Sequence, residues 1–235
     1  MLKRVMIGLA AALSALVPPS ASAQTVPKGV FTPEMQHRPS NQSLQNEFDN
    51  RKLRSQMSDA EIAYAGAATI ASCLVRRGRD QAGSFLGGTL MGDPNYTHIG
   101  EALTKRYSNC ATNSAASTAS AISGVLAEQL LVKQAPTLED RATGVSEADA
   151  HAFFGDLNGV VTFDNVAGCL AVYSPGLVYK LVRTDIGSNE QTAALQALYK
   201  GSPECRMSAP PEQINPAEQR ATLATALYKW THRQA

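Results

Sequence analysis

TLMGDPNYTHIGEALTKRYSNC, residues 89–110, and TDIGSNEQTAALQALYKGSPEC, residues 184–205, align without a gap. Thr89 falls on Thr184, Gly92 on Gly187, Thr97 on Thr192, Ala102-Leu103 on Ala197-Leu198, Lys105 on Lys200 and Cys110 on Cys205. Where the residue types differ, the physics agrees. Asp93 and Ser188 occupy one aligned position, and both side chains accept hydrogen bonds well at a helix N-cap. Pro94 suits the first helical position, and Gln191 follows Ser188 at capping-box spacing. Behind these caps Ile99, Leu103 and Tyr107 recur every four residues, as do Ala194 and Leu198 with Leu195 beside them, so each copy predicts a helix with one apolar stripe.

Working outward, Cys73 precedes Cys110 by 37 positions and Cys169 precedes Cys205 by 36. Downstream, Leu126, Ala127 and Leu130 correspond to Leu223, Ala224 and Leu227 at a slightly shifted offset. Such self-similarity predicts two tandem copies of one unit. The unit opens with a helix that carries the first cysteine: Ser58 and Glu61 form a capping box, and Ala63, Ala67, Ile70 and Leu74 follow at helical spacing. Ser146 with Asp149 caps a short helix holding Phe153 and Phe154, and the counterpart of the first helix runs from about Asp164 to Val172, after which Ser174-Pro175 predicts a capped new helix. Asn215-Pro216 with Glu218 starts the last helix, which sets Leu223, Leu227 and Trp230 on one side. Aromatic residues make up only 6% of the chain and alanine is abundant, which favours close-packed helices over a β-sandwich. The fold class is therefore all-α: two copies of a short-helix repeat at 58–133 and 146–235, joined by a linker at 134–145.

Four cysteines allow three pairings. A unit that folds the same way twice closes the same bridge twice, which selects Cys73 with Cys110 and Cys169 with Cys205. Each bridge would join the first helix of a copy to the end of its third. In the chain-entropy model a loop of this size contributes about 3.8 kcal/mol.

The first 23 residues place Lys3 and Arg4 ahead of an apolar run, Val5 to Val17, that ends in Ala21-Ser22-Ala23. This is the pattern of a cleaved secretory signal, and the run is too short for the roughly 20 residues of a membrane-spanning helix. Export to the periplasm or beyond follows, and an even cysteine count fits that compartment. Residues 24–57 are polar, with Pro27, Pro33 and Pro39 and no sustained period, and read as a flexible leader. Without Lys3 and Arg4 the chain holds 19 basic and 20 acidic residues. A balance so near neutral supplies no field for nucleic acid or an anionic membrane.

The four histidines, His37, His98, His151 and His232, stand at no metal-ligand spacing, and no H-E-x-x-H or C-x-x-C occurs. His98 and Glu101 would share a helix face, where one could act as a base and the other orient it; as an isolated pair they read better as surface. Gly83-Ser84 and Gly187-Ser188 lack the flanking residues of a nucleophile elbow. Asp156-Leu157-Asn158-Gly159 resembles the start of a calcium loop, but Val160 and Ala167 fall where oxygen ligands are needed, so it reads as a turn. Arg76, Arg77 and Arg79 complement a helix C-terminus, the alternative being a contact to an anion or a partner, which the Val172-Tyr173 of the second copy does not repeat. Tyr228, Lys229 and Trp230 could form an aromatic anchor, with core packing the favoured role for Trp230. No cofactor motif is present, and no catalytic residue is assigned.

The residues Cys73-Leu74-Val75-Arg76-Arg77, Cys110 and Leu126-Ala127-Glu128-Gln129-Leu130, answered by Cys169, Cys205 and Leu223-Ala224-Thr225-Ala226-Leu227, form a pattern over most of the chain from Ser58 onward. It resembles a group of exported alphaproteobacterial proteins without an established activity. The second copy departs from it in lacking the double arginine. The resemblance implies architecture and adds no reaction. The functional expectation is an exported helical interaction or structural module with a protein partner in the cell envelope. The alternatives are a small-ligand binder with its site between the copies, or an enzyme of unrecognised type.

Overall fold

Ser58 starts the first described helix by a reciprocal cap: its Oγ accepts from the Glu61 amide, and its own amide donates to Glu61 Oε2 at 2.6 Å. The structure is a computed structural model and describes residues 58–90, 92–93, 96–111, 117–158 and 161–233. The signal 1–23, the leader 24–57 and His37 lie outside the described residues. All described residues belong to one compact unit, Asn46–Ala235.

Helix α1 is Asp59–Gly78, and a 3-10 stretch, Arg79–Leu86, follows it. Helix α2 is Thr97–Thr104, a 3-10 turn covers Ser108–Cys110, and α3 is Ala119–Gln134. The second half opens with α4, Glu147–Phe154, then α5, Phe163–Tyr173, α6, Pro175–Val182, and α7, Asn189–Lys200. A 3-10 turn, Pro203–Cys205, precedes α8, Pro216–Thr231. These are eight α-helices, with no strand among the described residues. None is long and apolar enough to cross a membrane.

Cys73 on α1 meets Cys110, and Cys169 on α5 meets Cys205, each pair at disulfide distance with Sγ atoms 2.02 Å apart. Both downstream cysteines end a 3-10 turn, so each bridge ties a helix to the chain reversal that follows α2 or α7. The second bridge is sealed, with Cys169 and Cys205 both buried, whereas Cys73 is half-buried.

The core centres on α3 and α8, which form the most extensive helix pair and draw on both halves. Sequence periodicity places one apolar side on α8, yet 12 of its 16 residues are buried. A helix surrounded on nearly every side needs no polar face, so its stripe dissolves into an all-round pattern of Ala, Leu and Thr. Small residues let the two backbones approach. A methyl group built on Gly124 of α3 would overlap Ala221 of α8 and lie 2.7 Å from its carbonyl oxygen. Gly124→Ala should therefore destabilise the protein by about 1–3 kcal/mol, measurable by urea unfolding, even though alanine is the better helix former.

The caps at Ser146, Ser188 and Asn215 form as the sequence predicts, each side chain accepting from an amide three residues on. Two other caps and one stripe residue differ. Helix α2 starts at Thr97, and Asp93 caps it from outside, accepting from the Thr97 amide at 2.7 Å and the His98 amide at 3.0 Å. Tyr107 lies beyond that helix, buried in the turn with its ring 5.2 Å from Phe85. Ser174 makes no cap, because its Oγ is held by Ser202 Oγ at 2.6 Å and by Arg141 at 2.9 Å.

The segment joining the halves is pinned to the second one. Gly176 N donates to Glu139 O, Ala142 N to Tyr173 O, and Lys180 meets Asp140 at 2.7 Å. Arg141 completes the attachment by donating to Gly201 O, at the C-terminus of α7, and to Glu204. A guanidinium at that end satisfies carbonyls that the helix leaves without partners.

Candidate functional site

Beside the second bridge the chain leaves an apolar groove of about 320 Å³. Its floor is Val166 of α5 and Cys205, both buried. Its walls are Leu157, Phe163, Met207 and Ile214, all half-buried, and Val161 stands at the rim with 41% of its surface exposed. Local structure explains why these side chains converge. Thr162 caps α5 by a reciprocal bond with Asn165, which directs Phe163 and Val166 to one side of the first turn. Asn165 also donates to Phe154 O at 2.6 Å, fixing α4 against α5.

The opposite wall is held from below. Gln219 of α8 is buried, and its amide donates to Pro211 O at 3.0 Å and Ile214 O at 2.7 Å while its oxygen accepts from Tyr199. One glutamine thus fastens the 206–215 segment onto α8. Among the described residues Arg206 is the sole charged one lining the groove. It adopts a left-handed backbone conformation, φ 59°, and donates to Leu157 O at 3.2 Å across the groove. No acidic side chain among the described residues lines it.

Between the halves the packing is tight. Glu128 of α3 and Arg220 of α8 form a buried ion pair, Arg220 Nε to Glu128 Oε1 2.5 Å, and the Tyr64 hydroxyl donates to the same oxygen. The guanidinium also donates to Thr184 O and Val182 O, each at 2.6 Å. Burial pushes the Glu128 carboxyl up, against the charge and hydrogen bonds of Arg220. Burial would lower Arg220, but Glu128 raises it overall, and burial followed by the Glu128 charge raises Tyr64. Nearby, a cavity of about 180 Å³ opens among Ala63, Tyr64, Ser120, Asn215, Glu218 and Ala221.

The candidate chemistry scatters. His98 turns away from Glu101 to lie 2.9 Å from Asp93, while Glu101 pairs with Lys105 at 3.3 Å. His151 packs its ring against Phe154, and His232 stacks on Tyr228. Among the described residues no group of His, Cys, Asp or Glu side chains is arranged to hold a metal ion. Asp156 accepts from the Asn158 amide at 2.8 Å, a side-chain-closed turn as predicted. Arg76, Arg77 and Arg79 are exposed, the first two in the last turn of α1. Trp230 is buried with its ring centroid 5.1 Å from that of Phe153. Lys229 is buried too, donating to Thr89 O, and burial lowers its ammonium despite Asp93 and Asp164.

Burial would raise the Asp93 carboxyl, but hydrogen bonds from His98 and Thr97 outweigh it and hold the group well below its ordinary 3.8. A carboxyl depressed on folding stabilises the native state above its unfolded value and loses that contribution as pH falls toward the folded one. Acid titration below about pH 4 should therefore loosen the start of α2. Asp93→Asn should be less stable than the wild type at pH 6, with the difference disappearing as the pH is lowered through that range, as followed by denaturant midpoints.

No family model matches the chain, and neither a curated protein nor a solved structure matches it.

Proposed function

We propose that the chain is an exported, non-catalytic helical module that binds another protein of the cell envelope. The observation that carries this reading is the apolar groove beside Cys205, open at Val161 and held in shape by Gln219, Asn165 and the second cysteine pair. Apolar surface gathered in a supported concavity favours association, because covering it removes it from water. Cysteine pairs at disulfide distance are compatible with an oxidising compartment. The reading includes duplication of one unit. In each half a cysteine-bearing helix, a short helical segment, a second helix, a 3-10 turn ending in cysteine and a 16-residue helix follow in the same order.

The test is site-specific photo-crosslinking in intact cells, with the reactive residue at Val161 on the groove rim or at Val132, which is 50% exposed and lines no part of the groove. A discrete adduct from Val161, absent from Val132 and diminished by Met207→Glu, is expected. No adduct, or equal adducts at both positions, would overturn the reading.

A further inference from the structure

The groove has a sign as well as a shape. Its lining is apolar except for Thr162, whose hydroxyl is committed to the cap of α5, and Arg206. Among the described residues the Arg206 side chain makes one hydrogen bond, to a backbone carbonyl, which leaves most of the guanidinium's five donors for another acceptor. Two acidic residues close to Arg206 in the chain or in space are engaged elsewhere. Glu204 is bonded to Arg141 at 2.5 Å, and Asp156, which also lies in the field of Arg206, is turned onto Asn158.

The volume, about 320 Å³, is at the small end of the roughly 300–1,000 Å³ range of pockets that enclose most of a ligand. With Val161 and Arg206 exposed at its edge, the groove covers one side of a guest and leaves the remainder in water. That geometry suits a few side chains of a longer chain. Resting on the interaction reading above, we infer that the groove takes a peptide segment of its partner in which large apolar side chains neighbour a Glu or Asp, with the apolar groups over Val166 and Met207 and the carboxylate on Arg206. A guanidinium and a carboxylate can pair through two parallel hydrogen bonds, which supplies direction where the apolar contacts alone would not.

The probe is a fluorescently labelled library of octapeptides blocked at both ends, with Leu, Phe and Val around one central Glu, compared with matched libraries carrying Gln or Lys there. Anisotropy titration of the mature chain should show about tenfold tighter binding of the Glu library than of the Lys library, the size of one charge-assisted hydrogen bond. Arg206→Glu, checked for an unchanged melting midpoint, should reverse that order. Val161→Lys keeps Arg206 but should weaken all three libraries. Equal binding of the Glu and Lys libraries, binding that survives Arg206→Glu unchanged, or binding of free dodecanoate in place of any peptide would overturn the proposal. A Val161 crosslink that persists in Arg206→Glu would preserve the interaction reading and remove only the carboxylate.

Discussion

Arg220→Met is expected to cost about 3–5 kcal/mol at pH 7, because it strands Glu128 as a buried charge without its partner. Glu128 has two ways to respond, and both are costly. It can stay ionised with only Tyr64 as donor, or take up a proton. From an ordinary value of 4.5, protonation at pH 7 costs about 3.4 kcal/mol at 1.36 kcal/mol per unit. The sign of the pH dependence follows. A carboxyl raised on folding favours the native state below its unfolded value, and that advantage is lost as pH rises through the folded value. The variant should therefore regain stability relative to wild type as pH falls from 7 toward 4.5. Glu128→Gln combined with Arg220→Met should abolish this pH dependence while leaving a smaller deficit, since Thr184 O and Val182 O still lose their donor. Urea midpoints of the three proteins at pH 5 and pH 7 provide the measurement.

Removal of the second bridge is the other large effect. Cys169→Ser with Cys205→Ser should lower stability by about 4 kcal/mol through the freedom restored to the unfolded chain, roughly 8–16 °C in melting midpoint for a protein of this size. Its consequence is also local, because Cys205 forms part of the groove floor and Arg206 follows it directly. Peptide binding should fall further in this variant than in Cys73→Ser with Cys110→Ser, whose bridge lies in the other half. In the native protein a dithiol reductant should open the first bridge before the second. Cys73 is half-buried, while Cys169 and Cys205 are sealed.

Much of the frame is legible in the sequence because its signals are local. Ser58-Glu61, Ser146, Ser188 and Asn215 each announce a helix start through bonds spanning three residues. The cysteine spacing carries the pairing. What escapes is whatever depends on a distant neighbour. Ser174 precedes a proline as a cap should, but Arg141 and Ser202 compete for its hydroxyl. Asp93 caps α2 across a longer loop than any three-residue rule describes.

The buried polar groups left weaker traces. Glu128 is a lone acid within the apolar run Ile122 to Leu131, and Arg220 is a lone cation in the first half of α8. Each is a visible irregularity, yet their partnership spans 92 positions and no periodicity connects them. The groove is harder still to read. Val161, Phe163, Met207 and Ile214 come from two loops and a helix start, and they meet through the bonds of Gln219, the Thr162–Asn165 cap and the Cys169–Cys205 pair, none of which follows a local period.

Helices α3 and α8 form one core that both halves share, and α8 holds one wall of the groove through Gln219. Native-state hydrogen exchange read by mass spectrometry tests this directly. Slow amides of Ala119–Gln134 and Pro216–Thr231 are expected to exchange with one common free energy equal to that of global unfolding. Separate exchange, with peptides from 58–133 opening at a markedly lower free energy than those from 146–233, would contradict it.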